Sequence, residues 1–126
     1  MYFYAISRRD LPVHQQAIQG AHAQVKYCHW FNTNEGPLDP NINFIWITVE
    51  NKAELLHLYS MLEAHGVHAE EFFDPDYRGY NPSAIACMVP EEKRFLFSHL
   101  PLWKCEPAWG LFTFIRRTAN FLFFVF

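Results

Sequence analysis

Asp74 and Asp76 stand two residues apart, Arg78 follows at the same spacing, and the run Phe72-Phe73-Asp74-Pro75-Asp76 sets the pair directly after an apolar stretch. A carboxylate at the end of a strand can act as a general base, position a water or orient a ribose hydroxyl. The same D-P-D run serves equally as an Asx-type turn about Pro75, because a short acidic side chain accepts a backbone N–H two residues on. A second set lies nearer the amino terminus. Arg8 and Arg9 precede Asp10, Leu11 and Pro12, and proline suits the first position of a helix. The unpaired N–H groups and positive dipole end of that helix, beside two guanidinium groups, would make an anion or phosphate site. Two adjacent arginines on a solvated surface are the plain alternative.

Histidine and cysteine offer less. There are 7 histidines, but His14 and His22, like His65 and His68, fall in no H-E-x-x-H or mixed Cys/His cluster, so neither a metal nor a cofactor is expected. Cys28, Cys87 and Cys105 are odd in number, far apart and without C-x-x-C spacing, which reads as reduced thiols in a cytoplasmic protein. Cys28 and Cys87 sit in apolar stretches, where a small buried residue is the ordinary reading. No signal peptide precedes the first strand.

These groups need a scaffold, and 126 residues suffice for one domain with a single core. A net charge of −3 argues against a generally basic nucleic-acid binder, so any RNA contact must be local. Tyr2–Ile6 alternates as a strand, and a helix is expected from Val13 to Phe31 with Val13, Ala17, Ala21, Val25 and Cys28 on one face. Ala17, Gly20, Ala21 and Ala23 let that helix approach a sheet closely. Gln15, Gln16, Gln19 and Gln24 leave an uncharged polar face, suited to a bound polyanion or simply to solvent. Asn32–Asn43 is a loop rich in Asn, Gly and Pro. Phe44–Val49 reads as a buried strand, and Asn51 can cap a helix over Ala53–His65 that Gly66 stops. Val67–Phe73 is a third strand, Asp74–Pro82 a loop, Ala84–Val89 a fourth strand and Pro90–Ser98 a short helix. The order βαβαββα predicts an α/β fold, a single mixed four-stranded sheet with helices packed on it, in which the third and fourth strands are antiparallel.

The carboxyl-terminal stretch differs in kind. Trp109, Leu111, Phe112, Phe114, Ile115 and the run Phe121–Phe126 make it far more apolar than a usual exposed terminus. A transmembrane span needs roughly 20 continuous apolar residues, and Arg116, Arg117, Thr118 and Asn120 interrupt this one. An added strand, a homodimer contact or an interfacial segment would each suit it; packing against the domain or a partner is preferred.

The strand ending in Arg8-Arg9-Asp10-Leu11, followed by Gln15-Gln16-Ala17-Ile18-Gln19-Gly20-Ala21-His22-Ala23, resembles the opening of the type 2 peptidyl-tRNA hydrolase family, particularly its short bacterial and phage members. Phe72-Phe73-Asp74-Pro75-Asp76 followed by Ser83-Ala84-Ile85-Ala86 resembles the family's acidic loop and last strand, and Ser98-His99-Leu100-Pro101-Leu102-Trp103 its closing segment. The likeness divides the chain into a hydrolase-like domain over 1–103 and an apolar extension over 104–126. It implies metal-independent hydrolysis of the ester bond in peptidyl-tRNA or N-blocked aminoacyl-tRNA, in the cytoplasm, with tRNA as partner.

By the same resemblance Asp74 falls on the family's loop aspartate, with Asp76 the close second choice and Arg78 beside them. Ser83 falls where the family carries a threonine hydroxyl, and with Gln19 it would hydrogen-bond around the ester. His22 matches a Q-x-x-H-A pattern and either faces the sheet as a structural histidine or touches substrate. The family's lysine at the start of the first helix is replaced here by Gln15, so Arg8 or Arg9 must supply the cation and hold phosphate. Arginine is a poor proton donor and would serve through charge and bidentate hydrogen bonds. The alternative from another class is a non-catalytic protein that sequesters an RNA end or small nucleotide on the same fold.

Overall fold

The computed structural model describes residues 1–104; the packing expected of the apolar extension lies outside them. The chain runs β1 (Tyr2–Arg8), α1 (Val13–Asn34), β2 (Asn43–Val49), α2 (Lys52–Ala64), β3 (Ala69–Phe72) and β4 (Ala84–Val89), with 3₁₀ turns at Arg78–Tyr80 and Glu91–Phe97. The strands form one four-stranded sheet in the order β2-β1-β4-β3. β1 runs parallel to β2, with Ile6 opposite Ile47, and antiparallel to β4, with Ile6 opposite Ile85. β3 and β4 are antiparallel, as the single loop between them requires. The α/β class and the mixed sheet are those the sequence leads one to expect.

Alternation along the strands sorts their side chains onto two faces. On one face Tyr4, Ile6, Ile47, Ile85, Cys87 and Val89 pack with Leu55, Leu58 and Leu62 of α2 and with Leu96 and Phe97. On the other, Phe3, Ala84, Ala86 and Met88 meet Ala23 and Tyr27 of α1. β1 and β4 are therefore covered on both sides, which is why both read as nearly continuous apolar runs. α2 has clear local signals at each end. Asn51 Oδ1 accepts the Glu54 N–H at 3.0 Å, and Gly66 takes a left-handed φ of 73° just past the last turn.

Six expectations need correction. The buried face of α1 is Gln16, Gln19, Gly20, Ala23 and Tyr27 rather than the Val13, Ala17, Ala21, Val25, Cys28 stripe, and Val25 is 68% exposed. Close approach through Gly20 and Ala23 sets that face: an added Cβ on Gly20 would sit 2.5 Å from the Trp46 ring. β1 extends past Ile6 through Arg8, whose guanidinium finds partners inside the fold, and α1 runs on past Phe31 to Asn34. β2 is one of the sheet's two edge strands, so its first half is open and Phe44 is 62% exposed, while Ile47, Thr48 and Val49 are buried. Its outer edge bonds in part to the segment after the last turn, through Thr48 N–H to Pro101 O and Trp103 N–H to Trp46 O, both at 2.9 Å. Finally, β3 is shorter than Val67–Phe73, and the Pro90–Ser98 helix is a run of 3₁₀ turns. Among the described residues no helix is long and apolar enough to cross a membrane.

Candidate functional site

Gln15, Gln19 and His22 share one side of α1, since residues three and four apart are neighbours on a helix. The loop joining β3 to β4 comes up against that side and brings Asp74 and Ser83 to it. Ser83 Oγ lies 2.6 Å from Gln19 Oε1 and donates to it, with the Phe72 carbonyl a longer alternative at 3.2 Å. Gln19 Nε2 donates in turn to Asp74 Oδ2 at 2.7 Å and approaches Gln15 Oε1 at 3.2 Å. Ser83 and Gln19 are entirely buried, so each buried polar group is satisfied by the next. The chain of donors ends on the Asp74 carboxylate, the member of the series that meets solvent.

The loop that presents Asp74 is held by its own polar groups. Asn81 Oδ1 accepts the Asp74 N–H at 2.8 Å, and Asn81 Nδ2 donates to the Asp74 carbonyl at 2.7 Å. Asp74 Oδ1 accepts the Asp76 N–H at 2.9 Å, forming the Asx turn that D-P-D suggested. One carboxylate oxygen makes the turn and the other receives Gln19. Donation from Gln19 first, then from the Asp76 N–H, with His22 nearby, holds the Asp74 carboxyl below the usual carboxylate range. Such a group is a weaker proton acceptor and stays ionised to lower pH.

The remaining expected residues scatter. Arg8, expected to hold phosphate, is 3% exposed and its guanidinium is engaged within the chain. Nε and Nη2 donate to the two oxygens of Asp10 at 3.0 and 2.7 Å, and Nη1 donates to the carbonyls of Tyr80 and Pro82 at 2.6 and 3.1 Å. It clamps the end of β1 to the acidic loop instead of facing a ligand. Arg9 is exposed and donates to Thr48, at the mouth of an open cleft of about 360 Å³ shared with Gln16, Leu102 and Lys104. Gln15 is partly buried beside Gln19. His22 is exposed and lies against the edge of the sheet, its ring stacked on Phe72 of β3 with centroids 4.7 Å apart and planes 9° from parallel. Asp76 contributes its backbone N–H while its side chain points to solvent, and Arg78 is exposed on the first 3₁₀ turn.

One residue that completes the site was not singled out from sequence. Asn81 locks the loop, and the turn signal Asn-Pro at 81–82 was its only local trace. Burial pushes the thiols of Cys87 and, less, Cys28 up, so neither is poised as a nucleophile; Cys105 lies outside the described residues. Among the described residues no three His, Cys, Asp or Glu side chains gather as a metal site requires. No protein-family model matches the chain, and no curated protein matches it either.

Proposed function

We propose that the domain hydrolyses, without a metal, the ester that joins a peptidyl or N-blocked aminoacyl group to the 3′ end of tRNA in the cytoplasm. One observation carries the reading: the buried Ser83–Gln19 pair terminates on the Asp74 carboxylate, where the motif likeness expects the family's hydroxyl and aspartate. In this reading Asp74 orients the attacking water or the terminal ribose hydroxyl, a role that its low basicity favours over outright proton abstraction. Gln19 and Ser83 are positioning residues, since both are buried and act through Asp74. Arg9 and Arg78, both exposed, would hold phosphate once Arg8 is committed to the fold. Incubating the purified chain with N-blocked aminoacyl-tRNA and following release of the acyl group tests the proposal. Turnover that vanishes in Asp74→Asn supports it, and no turnover at any enzyme concentration refutes it.

A second reading is favoured by a different observation. Gln15 stands where the resemblance expects a lysine, and Arg8, the nearest buried cation, is spent on Asp10, Tyr80 and Pro82. A developing negative charge on the ester would then lack a close counter-charge. That suits a protein that holds an RNA end or small nucleotide without cleaving it. The same assay separates the two, because binding without acyl release selects the second.

A further inference from the structure

Helix α1 has two apolar faces, and the described fold uses one of them. Gln16, Gln19, Gly20, Ala23 and Tyr27 turn to the sheet. The slanting row Val13, Ala17, Ala21, Val25 and Cys28, with Ile18 beside it, turns outward: Ile18 is 43% and Val25 68% exposed, with Ala21 exposed between them. Residues three and four apart are neighbours on a helix, so these side chains make one continuous surface. A helix side in contact with water is normally charged, yet no Asp, Glu, Lys or Arg stands in α1 before Lys26. Single exposed apolar residues are ordinary, whereas an uninterrupted row of them without charge marks a contact face.

The chain brings a cover to this face. α1 carries the backbone from the end of β1 back to the start of β2, and so runs opposite to both strands. Leu102 meets Ile47 in an antiparallel bridge, so residues 101–103 run in the same direction as α1. The Trp103 ring lies on the helix side of the sheet, its centroid 5.5 Å from that of Trp46, the ring that Gly20 approaches. Lys104 then lines the same cleft as Val13 and Gln16, at the first turn of α1. The chain is therefore heading along the helix from its beginning when the apolar extension starts. As many residues follow Lys104 as α1 contains, 22, enough to reach the last turn even in a form as compact as a helix of about 33 Å. Trp103 Nε1 is buried with no acceptor among the described residues, and a buried N–H is normally paired; a carbonyl of the next residues would satisfy it. We propose that residues 105–126 pack along the outward face of α1 in the same chain, laying their aromatic and aliphatic side chains over Val13, Ala17, Ile18, Ala21, Val25 and Cys28. A tether that begins beside the first turn holds the segment at a local concentration that a separate molecule does not match. The extension holds more large apolar side chains than this row can cover, so the remainder stays free to meet a second copy.

The test uses the full chain with isotope-labelled Ile and Val methyl groups and reads their nuclear Overhauser contacts to aromatic protons. The methyls of Ile18 and Val25 should contact the rings of Trp109 and of the phenylalanines that follow it. Val25→Lys sets a charge in the middle of the row and should abolish the contacts of Ile18, whereas Val25→Leu should keep them. Because Val25 is exposed in the domain, neither variant should move the methyl resonances of Ile6 and Ile85, which lie in the core. Absence of these contacts at Ile18 and Val25 overturns the proposal, as does their survival in Val25→Lys. Contacts of the extension at Ile45 and Ile47 instead would place it in the groove beside Phe95 and Leu100, on the α2 side of the sheet, and overturn it too. A mixture of labelled and unlabelled chains checks the source of the cover: contacts of Ile18 and Val25 with rings of the unlabelled copy would assign the cover to a second molecule and refute packing within one chain.

Discussion

Asp74 joins a local turn to a helix 55 residues away in sequence through one carboxylate, and its backbone is bonded on both sides to Asn81. If it orients the water or ribose, Asp74→Asn should reduce acyl release roughly a hundredfold, while Asp76→Asn, which keeps the backbone N–H used by the turn, should leave the rate within a few-fold of normal. Equal losses in both variants would shift the role to charge alone. The protonation state gives a second check. Because the folded Asp74 titrates below the ordinary carboxylate range, whatever its ionised form contributes is present at neutral pH and disappears only as pH falls through that lowered value. Gln19→Leu removes the largest stabilising donor, so the carboxyl should titrate at higher pH and the loss should begin sooner on acidification. Carbon-detected NMR of the Asp74 carboxyl reads this directly, and an unmoved titration would show that Gln19 does not govern it.

The elements that carry local instructions were legible, and those whose setting depends on distant partners were not. β4 came out as Ala84–Val89 and α2 within a residue or so of its limits, because an Asn cap, a glycine stop and compact apolar runs act over a few neighbours. Helix α1 was placed correctly at Val13, yet its inward face was not. Counting apolar side chains favoured Val13 and Val25, whereas the helix buries Gln16 and Gln19, whose amides are satisfied by the Leu11 carbonyl and by Ser83 and Asp74. Nothing within one helical turn announces a partner 64 residues away. The edge position of β2 was hidden for a like reason, since strand order is a property of the whole sheet. Gly20 gives the element-scale prediction. Alanine there gains up to about 1 kcal/mol in helix propensity, but its Cβ would meet a Trp46 ring held by a 3.1 Å bond from Nε1 to Ser7 Oγ and packed near Trp103. Overpacking costs about 1–3 kcal/mol, and the indole bond would be lost as well. Gly20→Ala should therefore lower the denaturation midpoint despite the better helix former, with a change in tryptophan emission; a gain in stability would mean that α1 can lift from the sheet without cost.

At the scale of the whole molecule, charge and the two ends of the sequence matter most. A chain with net charge −3 cannot attract RNA over its whole surface, so binding should hang on a few exposed cations. Arg9→Ala combined with Arg78→Ala should weaken tRNA affinity and flatten its dependence on salt by about one unit of slope for each phosphate no longer neutralised; an unchanged slope would leave both as surface charge. The apolar stretch after Lys104 poses the larger question. Among the described residues, both core clusters are assembled from residues no later than Leu100, and the edge of β2 is met by residues 101–103. The run from Trp109 to Phe126 nonetheless holds more large apolar side chains than a monomer usually leaves in water. A chain ending at Lys104 should keep its circular dichroism spectrum and a single cooperative unfolding transition, and light scattering should find it monomeric where the full chain forms a dimer. Loss of the cooperative transition on truncation would instead make the extension part of the core. The same number of protomers for the two chains, with equal solubility, would leave the extension without a role in assembly.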